Sequence, residues 1–157
     1  MIYTPLIQEA MKLAYKAHQG QKDPSGVPYI FHPFYVAELV CRTKAEETPA
    51  CVALLHDVLE DTDVTLKDLE EQFPKEVTEA VVLLTRSPEE NYFDYIRKLK
   101  KNPVARQVKV MDLHHNMNKG RLEGCKNVSE DQKKCWNEKY NRALCILMQN
   151  DREEDET

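Results

Sequence analysis

Apolar residues recur at three- and four-residue intervals along most of this 157-residue chain, and proline marks where many of the runs begin. Leu6, Ala10, Leu13, Ala14 and Ala17 form one stripe, Val36, Leu39 and Val40 a second, and Val77, Val81 and Leu84 a third. Trp136, Tyr140, Ala143, Leu144 and Leu147 form another near the end. That spacing lines up one face of an α-helix, whereas a half-buried strand alternates with a period of two, and no such alternation is present. Thr4-Pro5 and Thr48-Pro49 each put a capping hydroxyl before a proline at the first helical position, and Pro33, Pro74 and Pro103 can open helices in the same way. Thr65 with Asp68 resembles a capping box, and Ser129 offers a further N-cap. Only four glycines are available for hairpins. The pattern predicts an all-α fold, a single bundle of about eight helices over residues 1–150, with a polar, acidic and disordered tail at 151–157.

Composition removes several classes of function. With 41% hydrophobic and 31% charged residues the chain reads as an ordinary soluble domain, and no apolar run approaches the ~20 residues needed to cross a bilayer. Pro5, Gln8 and Glu9 break up any apolar core of a signal peptide, so a cytoplasmic location is expected. The net charge of −5 argues against nucleic acid or an anionic membrane as the main partner. That charge is uneven: residues 46–71 hold nine acids against one base, and residues 95–121 hold eight bases against one acid. The five cysteines include no CxxC pair, which suggests reduced thiols rather than a disulfide framework or a zinc ribbon.

The stretch "ALLHDVLEDTD" interrupts an apolar helical run with His56 and Asp57. Imidazole and carboxylate cost several kcal/mol to bury unless paired, so their place beside Leu54, Leu55, Val58 and Leu59 implies a metal, an ion-pair network or solvent as partner. His32 opens the second predicted helix, His56 and Asp57 sit on the third, and Asp112 sits on the helix that begins near Pro103. Two imidazoles and two carboxylates form an N/O set suited to Mn²⁺, Fe²⁺ or Zn²⁺, with positions left open for hydrolytic chemistry. Glu60 follows His56 by four residues and Asp61 follows Asp57 by four, so each acid shares a helix face with one member of the doublet. They fit a general base and proton relay, or the solvated end of a helix; Asp63 fits the second description. Lys109, Lys119 and Arg121 bracket Asp112 and either face a polyanionic substrate or form a solvated face. His115 shares a face with Asp112, and it and His18 are either hydrogen-bonding supports of metal ligands or ordinary polar residues. Tyr29, Tyr92 and Tyr95 are expected to pack in the core.

"YIFHP", "ALLHDVLEDTDVT" and "VKVMDLHHNM" resemble the successive motifs of the HD-domain metal-dependent phosphohydrolases, and within them the hydrolase domain of the RelA/SpoT-type alarmone enzymes. The similarity runs from about His18 to Met117, with the helix containing "EKYNRAL" closing the domain. The resemblance implies metal ligation by His32, His56, Asp57 and Asp112, catalysis by Glu60 and Asp61, and substrate contact by Asn116. It also implies an all-α fold, Mn²⁺ as the usual metal, and removal of the 3′-diphosphate from (p)ppGpp. No synthetase or regulatory region fits this length, so the chain resembles a stand-alone small alarmone hydrolase.

Two departures bear on the substrate. Where the family reads Arg-Lys-Ser-Gly, with the arginine packing on guanine, "KDPSG" keeps Ser25 and Gly26 but carries Asp23 and Pro24, leaving Lys22 as the nearest cation. Leu113 and His114 replace the Arg and Leu that follow the motif's aspartate. Lys22, Ser25, Asn116 and Lys109 are therefore the expected substrate contacts, with Asp23 repelling nearby phosphate and base recognition looser than in the alarmone enzymes. The expected partner is a phosphorylated nucleotide. The alternatives are an HD phosphohydrolase of another nucleotide such as NADPH, or a noncatalytic module that binds a nucleotide or a protein. The oligomeric state is left open.

Overall fold

The computed structural model describes residues 2–149; the tail expected at 151–157 lies outside the described residues. The chain runs through α1 (Pro5–Ala17), α2 (Phe31–Thr43), α3 (Glu47–Leu55), α4 (Val58–Asp61) and α5 (Leu66–Glu70). It continues through α6 (Lys75–Leu84), α7 (Tyr92–Lys100), α8 (Pro103–Asn116), α9 (Lys119–Gly124) and α10 (Glu130–Met148). Among the described residues there is no strand, and no helix is long and apolar enough to cross a membrane. The count exceeds the expected eight because the helix drawn through His56 and Asp57 is split into α3 and α4, and because α9 is a short extra turn.

Local chemistry explains most helix starts. Thr4, Asn91, Asn102, Asn118 and Ser129 each accept a backbone N–H of the first turn, and Thr65 and Asp68 form a reciprocal capping box. Pro5 and Pro103 occupy the first turn as expected. Thr48 does not cap: α3 begins one residue earlier, with Glu46 at its cap position and no side-chain bond. Pro33 lies inside the first turn of α2, which starts at Phe31.

α3 is the centre of the bundle. Every residue from Pro49 to Leu55 is buried, because α1, α2, α6 and α8 pack around it. A helix that is apolar all round is stable only in that setting. Each Leu or Val it buries contributes about 1.5–3 kcal/mol of hydrophobic stabilisation, and truncating Leu54 to Ala costs about 2–5 kcal/mol. The same packing sets the C-terminal end of α3 against α2 and α8, where the polar residues of the sequence motifs collect.

Candidate metal centre

His56 keeps right-handed α-helical angles, φ −59° and ψ −28°, and the helix is interrupted at Asp57. Asp57 has φ −104° and ψ −4°, in the sparsely populated bridge region, and α4 restarts at Val58. There the Asp57 carboxylate meets His32 of α2 and His56 meets Asp112 of α8. His32, His56 and Asp57 each bring one ligand atom within 4.8 Å of the others. Asp112 joins them from α8, its Oδ1 lying 3.1 Å from His32 Nε2 and 3.8 Å from His56 Nε2. Asp57 Oδ2 is 2.9 Å from His56 Nε2 and 3.6 Å from His32 Nε2. All four residues inferred from the motifs therefore converge at one point.

The donor set fits a divalent cation. His56 Nδ1 lies 2.7 Å from the carbonyl of Ala53, which can only accept, so Nδ1 carries the hydrogen and Nε2 presents a lone pair to the centre. That buried Nε2 has no hydrogen-bond partner among the described residues. A lone pair aimed at two carboxylates needs a cation between them. In the metal-free protein a proton takes that role: burial opposes the charged ring, but Asp57 and Asp112 outweigh it and push His56 up to about 9. Asp57 is held below the usual carboxylate range because the neighbouring imidazoles outweigh its burial. The five cysteines are unpaired thiols, and none joins the cluster.

Each ligand is held by a second residue. Tyr29 donates its hydroxyl to Asp57 Oδ2 at 2.5 Å, and burial together with Asp57 raises its pKa, so the proton stays on the phenol. Tyr29 is thus part of the site rather than of the core; its place three residues before His32 was the available signal. His32 Nδ1 meets His115 Nδ1 at 2.7 Å, and burial plus the His32 and Arg121 charges lower His115 to about 3, which keeps it a neutral acceptor. Tyr35 packs on His115 with ring centroids 4.4 Å apart. On α8, Lys109 Nζ donates to Asp112 Oδ2 at 2.8 Å and Asn116 Nδ2 donates to Asp112 Oδ1 at 2.7 Å. The i−3 and i+4 spacing around Asp112 puts these groups on one face. His18 is buried nearby, its Nδ1 2.7 Å from Gln21 Oε1 and its ring 5.0 Å from Tyr29.

The other inferred residues divide. Asp61 is exposed, with no side-chain hydrogen bond among the described residues; reduced contact of its carboxyl with solvent and the charges of Asp57 and Glu60 raise it to about 6. Glu60 points elsewhere, its Oε2 accepting the backbone N–H of Arg86 at 3.0 Å. Asp63 is exposed, as expected. Lys109 spends its charge on Asp112 and lies 5.6 Å from the Tyr95 ring centroid. Lys22 is exposed and reaches no cavity wall beside the centre, while Ser25 lines a cavity of about 380 Å³ together with His32, His115 and Arg121.

Asp23 does not stand as a bare charge against an incoming phosphate, contrary to expectation. Its Oδ1 accepts from the backbone N–H groups of Ser25 and Val27 and from the Ser25 hydroxyl, and Oδ2 faces Arg121 Nε at 3.4 Å. Burial opposes its ionisation, but these hydrogen bonds and the Arg121 charge hold it below the usual range. Sequence reading could not pair residues so far apart.

Residues 10–115 match a family described as the HD domain. Over 122 residues the chain is 34% identical to the bifunctional (p)ppGpp synthase/hydrolase SpoT of Escherichia coli K12, covering 71% of this chain and 17% of that protein. It is 41% identical over 75 residues to a guanosine-3′,5′-bis(diphosphate) 3′-pyrophosphohydrolase of Vibrio cholerae, covering 48% of this chain and 11% of the relative. The chain thus spans less than a fifth of the length of these curated relatives. A solved structure of a metazoan ortholog of SpoT, described as hydrolysing ppGpp, superimposes with a TM-score of 0.80 at 22% identity, covering 94% of this chain and 88% of that one. That likeness shows the all-α fold.

Proposed function

The chain belongs to the HD-domain family, and on that basis we propose that it is a metal-dependent phosphohydrolase acting on (p)ppGpp, releasing the 3′-diphosphate in a cytoplasmic setting. The observation that carries the reading is the convergence of His32, His56, Asp57 and Asp112, with His56 Nε2 2.9 Å from the Asp57 carboxylate and Asp61 one turn further on. The identity of the nucleotide is drawn from the named activity of the relatives. Mn²⁺ is the proposed metal, with Fe²⁺ and Zn²⁺ compatible with the same ligands. When bound, such an ion supplies Lewis acidity and lowers the pKa of water.

The chain's own residues then have separable tasks. Tyr29 fixes Asp57, His115 fixes His32, and Lys109 with Asn116 fixes both oxygens of Asp112, so the ligand geometry is set before substrate arrives. A water oxygen attacks the phosphorus next to the ribose, the bond to the ribose 3′ oxygen breaks, and diphosphate departs. Asp61 takes the water proton, and the 3′ oxygen leaves by taking a proton from solvent, so that one water is added across the broken bond. Glu60 ties α4 to the backbone after α6 and adds negative charge that keeps Asp61 basic.

The test is a screen of Mn²⁺-loaded protein against ppGpp, pppGpp, NADPH and common nucleotides, with phosphate and diphosphate followed separately. Diphosphate from ppGpp is the expected product. Phosphate from NADPH alone would move the activity to another nucleotide, and tight binding with no product from any substrate would leave a noncatalytic module.

A further inference from the structure

Residues 95–121 carry eight bases against the single acid Asp112, and pairing accounts for only half of them. Arg97 pairs with Asp94, Lys98 with Glu90, Lys109 with Asp112 and Arg121 with Asp23. Three of the rest gather in one place. Lys100, Lys101 and Arg106 join Lys44 around a groove of about 610 Å³, formed where the ends of α2 and α7 meet the first two turns of α8. Among the described residues no acid lines it.

The groove is separate from the metal centre. Successive residues of a helix turn by about 100°, so Arg106, Gln107, Val110 and Met111 share one face of α8, while Lys109, Asp112 and Asn116 share the opposite one.

Part of the charge has a local explanation. Lys100 and Lys101 end α7 and Lys44 ends α2, where a cation complements the negative end of the helix dipole, and Lys44 also pairs with Glu46. Arg106 has no such explanation. It sits in the first turn of α8, at the positive end of a 14-residue helix whose first turn holds no acid, with three further cations around the same groove. Neither Arg106 nor Lys101 pairs with a carboxylate among the described residues. Lys100 is only 5% exposed, so its side chain is fixed at the groove wall rather than trailing in solvent. Like charges gathered at the positive end of a helix repel, and an anion between them relieves that repulsion.

Cations spread around one groove match a chain of phosphates better than a single small anion, since each can meet a different oxygen. Gln107 Nε2 donates to Thr43 Oγ1 at 3.0 Å, which ties α8 to the end of α2 at the groove wall. Val110 and Met111 add an apolar strip that suits the sugar and base of a nucleotide. We infer that this groove is a second anion site, which takes an oligophosphate chain, either free or carried by a nucleoside. Lys101 and Arg106 supply the charge that no carboxylate answers, and Lys44 and Lys100 flank it. The inference does not depend on the chemistry assigned to the metal centre.

Calorimetric titration of the full chain in excess chelator, with inorganic tripolyphosphate, GTP and inorganic phosphate as probes, tests this. Tripolyphosphate is expected to bind about tenfold tighter or more than inorganic phosphate. Lys101→Glu with Arg106→Glu should weaken tripolyphosphate and GTP about tenfold or more, while leaving Mn²⁺ binding at the His56 centre within about twofold of the natural chain. Lys12→Glu with Lys134→Glu makes the same change in net charge at exposed positions of α1 and α10, and should weaken the probes less than about twofold. Arg106→Gln alone keeps helix propensity and should weaken tripolyphosphate about threefold, a readout that survives if the double reversal fails to fold. GTP binding tighter than tripolyphosphate assigns the site to a nucleotide, and equal affinities assign it to free oligophosphate. Failure of tripolyphosphate and GTP to bind, binding unchanged in both groove variants, or an equal loss in the α1 and α10 reversal overturns the inference.

Discussion

Replacing Asp112 with Asn should separate what holds the metal from what holds the fold. Asp112 is 3% exposed, and its Oδ2 lies 2.8 Å from Lys109 Nζ, whose side chain is 15% exposed. At that distance and an effective dielectric constant near 20, the attraction is about 6 kcal/mol before desolvation is counted. Asn keeps the shape and can still meet Asn116, but it leaves the ammonium enclosed without a counter-charge. Breaking a buried pair in this way costs about 3–5 kcal/mol. Urea unfolding in the presence of a chelator, followed by the fluorescence of the single tryptophan, Trp136, measures this loss without any contribution from bound metal. Adding Lys109→Met removes the stranded charge, so the double variant should recover about 2 kcal/mol or more of stability while binding no more metal than Asp112→Asn. A loss below about 1 kcal/mol in Asp112→Asn, or a double variant no more stable than the single one, would show that the ammonium is not stranded by the loss of its partner.

The electrostatics make a further statement about pH. In the metal-free fold His56 titrates near 9, against an ordinary value of 6.5, so its stabilisation is complete below pH 6.5 and disappears as pH rises through 9. The offset is worth on the order of 3 kcal/mol, and a chelated His56→Asn variant should show a flatter stability profile across that interval. His56→Ala should lose metal and activity together by elemental analysis and phosphate release. Asp61→Asn should keep its metal and lower kcat by a factor of about 100 or more, and full activity in that variant excludes Asp61 from the proton transfer; Glu60→Gln should keep metal and lower turnover less, because it removes only the charge beside Asp61 and the tie to the Arg86 backbone. Guanine and adenine 3′-diphosphate nucleotides should differ by less than about tenfold in kcat/KM, or about 1.4 kcal/mol, and a hundredfold preference for ppGpp would show that another group reads the base edge.

Features that depend on a few adjacent residues are legible in the sequence. Thr4, Thr65 with Asp68, and Ser129 cap helices as their neighbours predict, because a cap is satisfied within one turn. The apolar spacing establishes an all-α chain, and the residue types at His32, His56, Asp57 and Asp112 are enough to nominate a metal centre. Packing decides the rest. The interruption at Asp57 lies just past the enclosed α3, where its end meets α2 and α8. Tyr29 reaches Asp57 across 28 residues, His32 reaches His115 across 83, and Asp23 reaches Arg121 across 98. Lys109 and Glu60 are candidates for substrate binding and catalysis from spacing alone, yet one is held by Asp112 and the other by the Arg86 backbone. Local preference acts over three or four residues, whereas these partners are chosen by which helix faces the bundle brings together, and no local pattern carries that information.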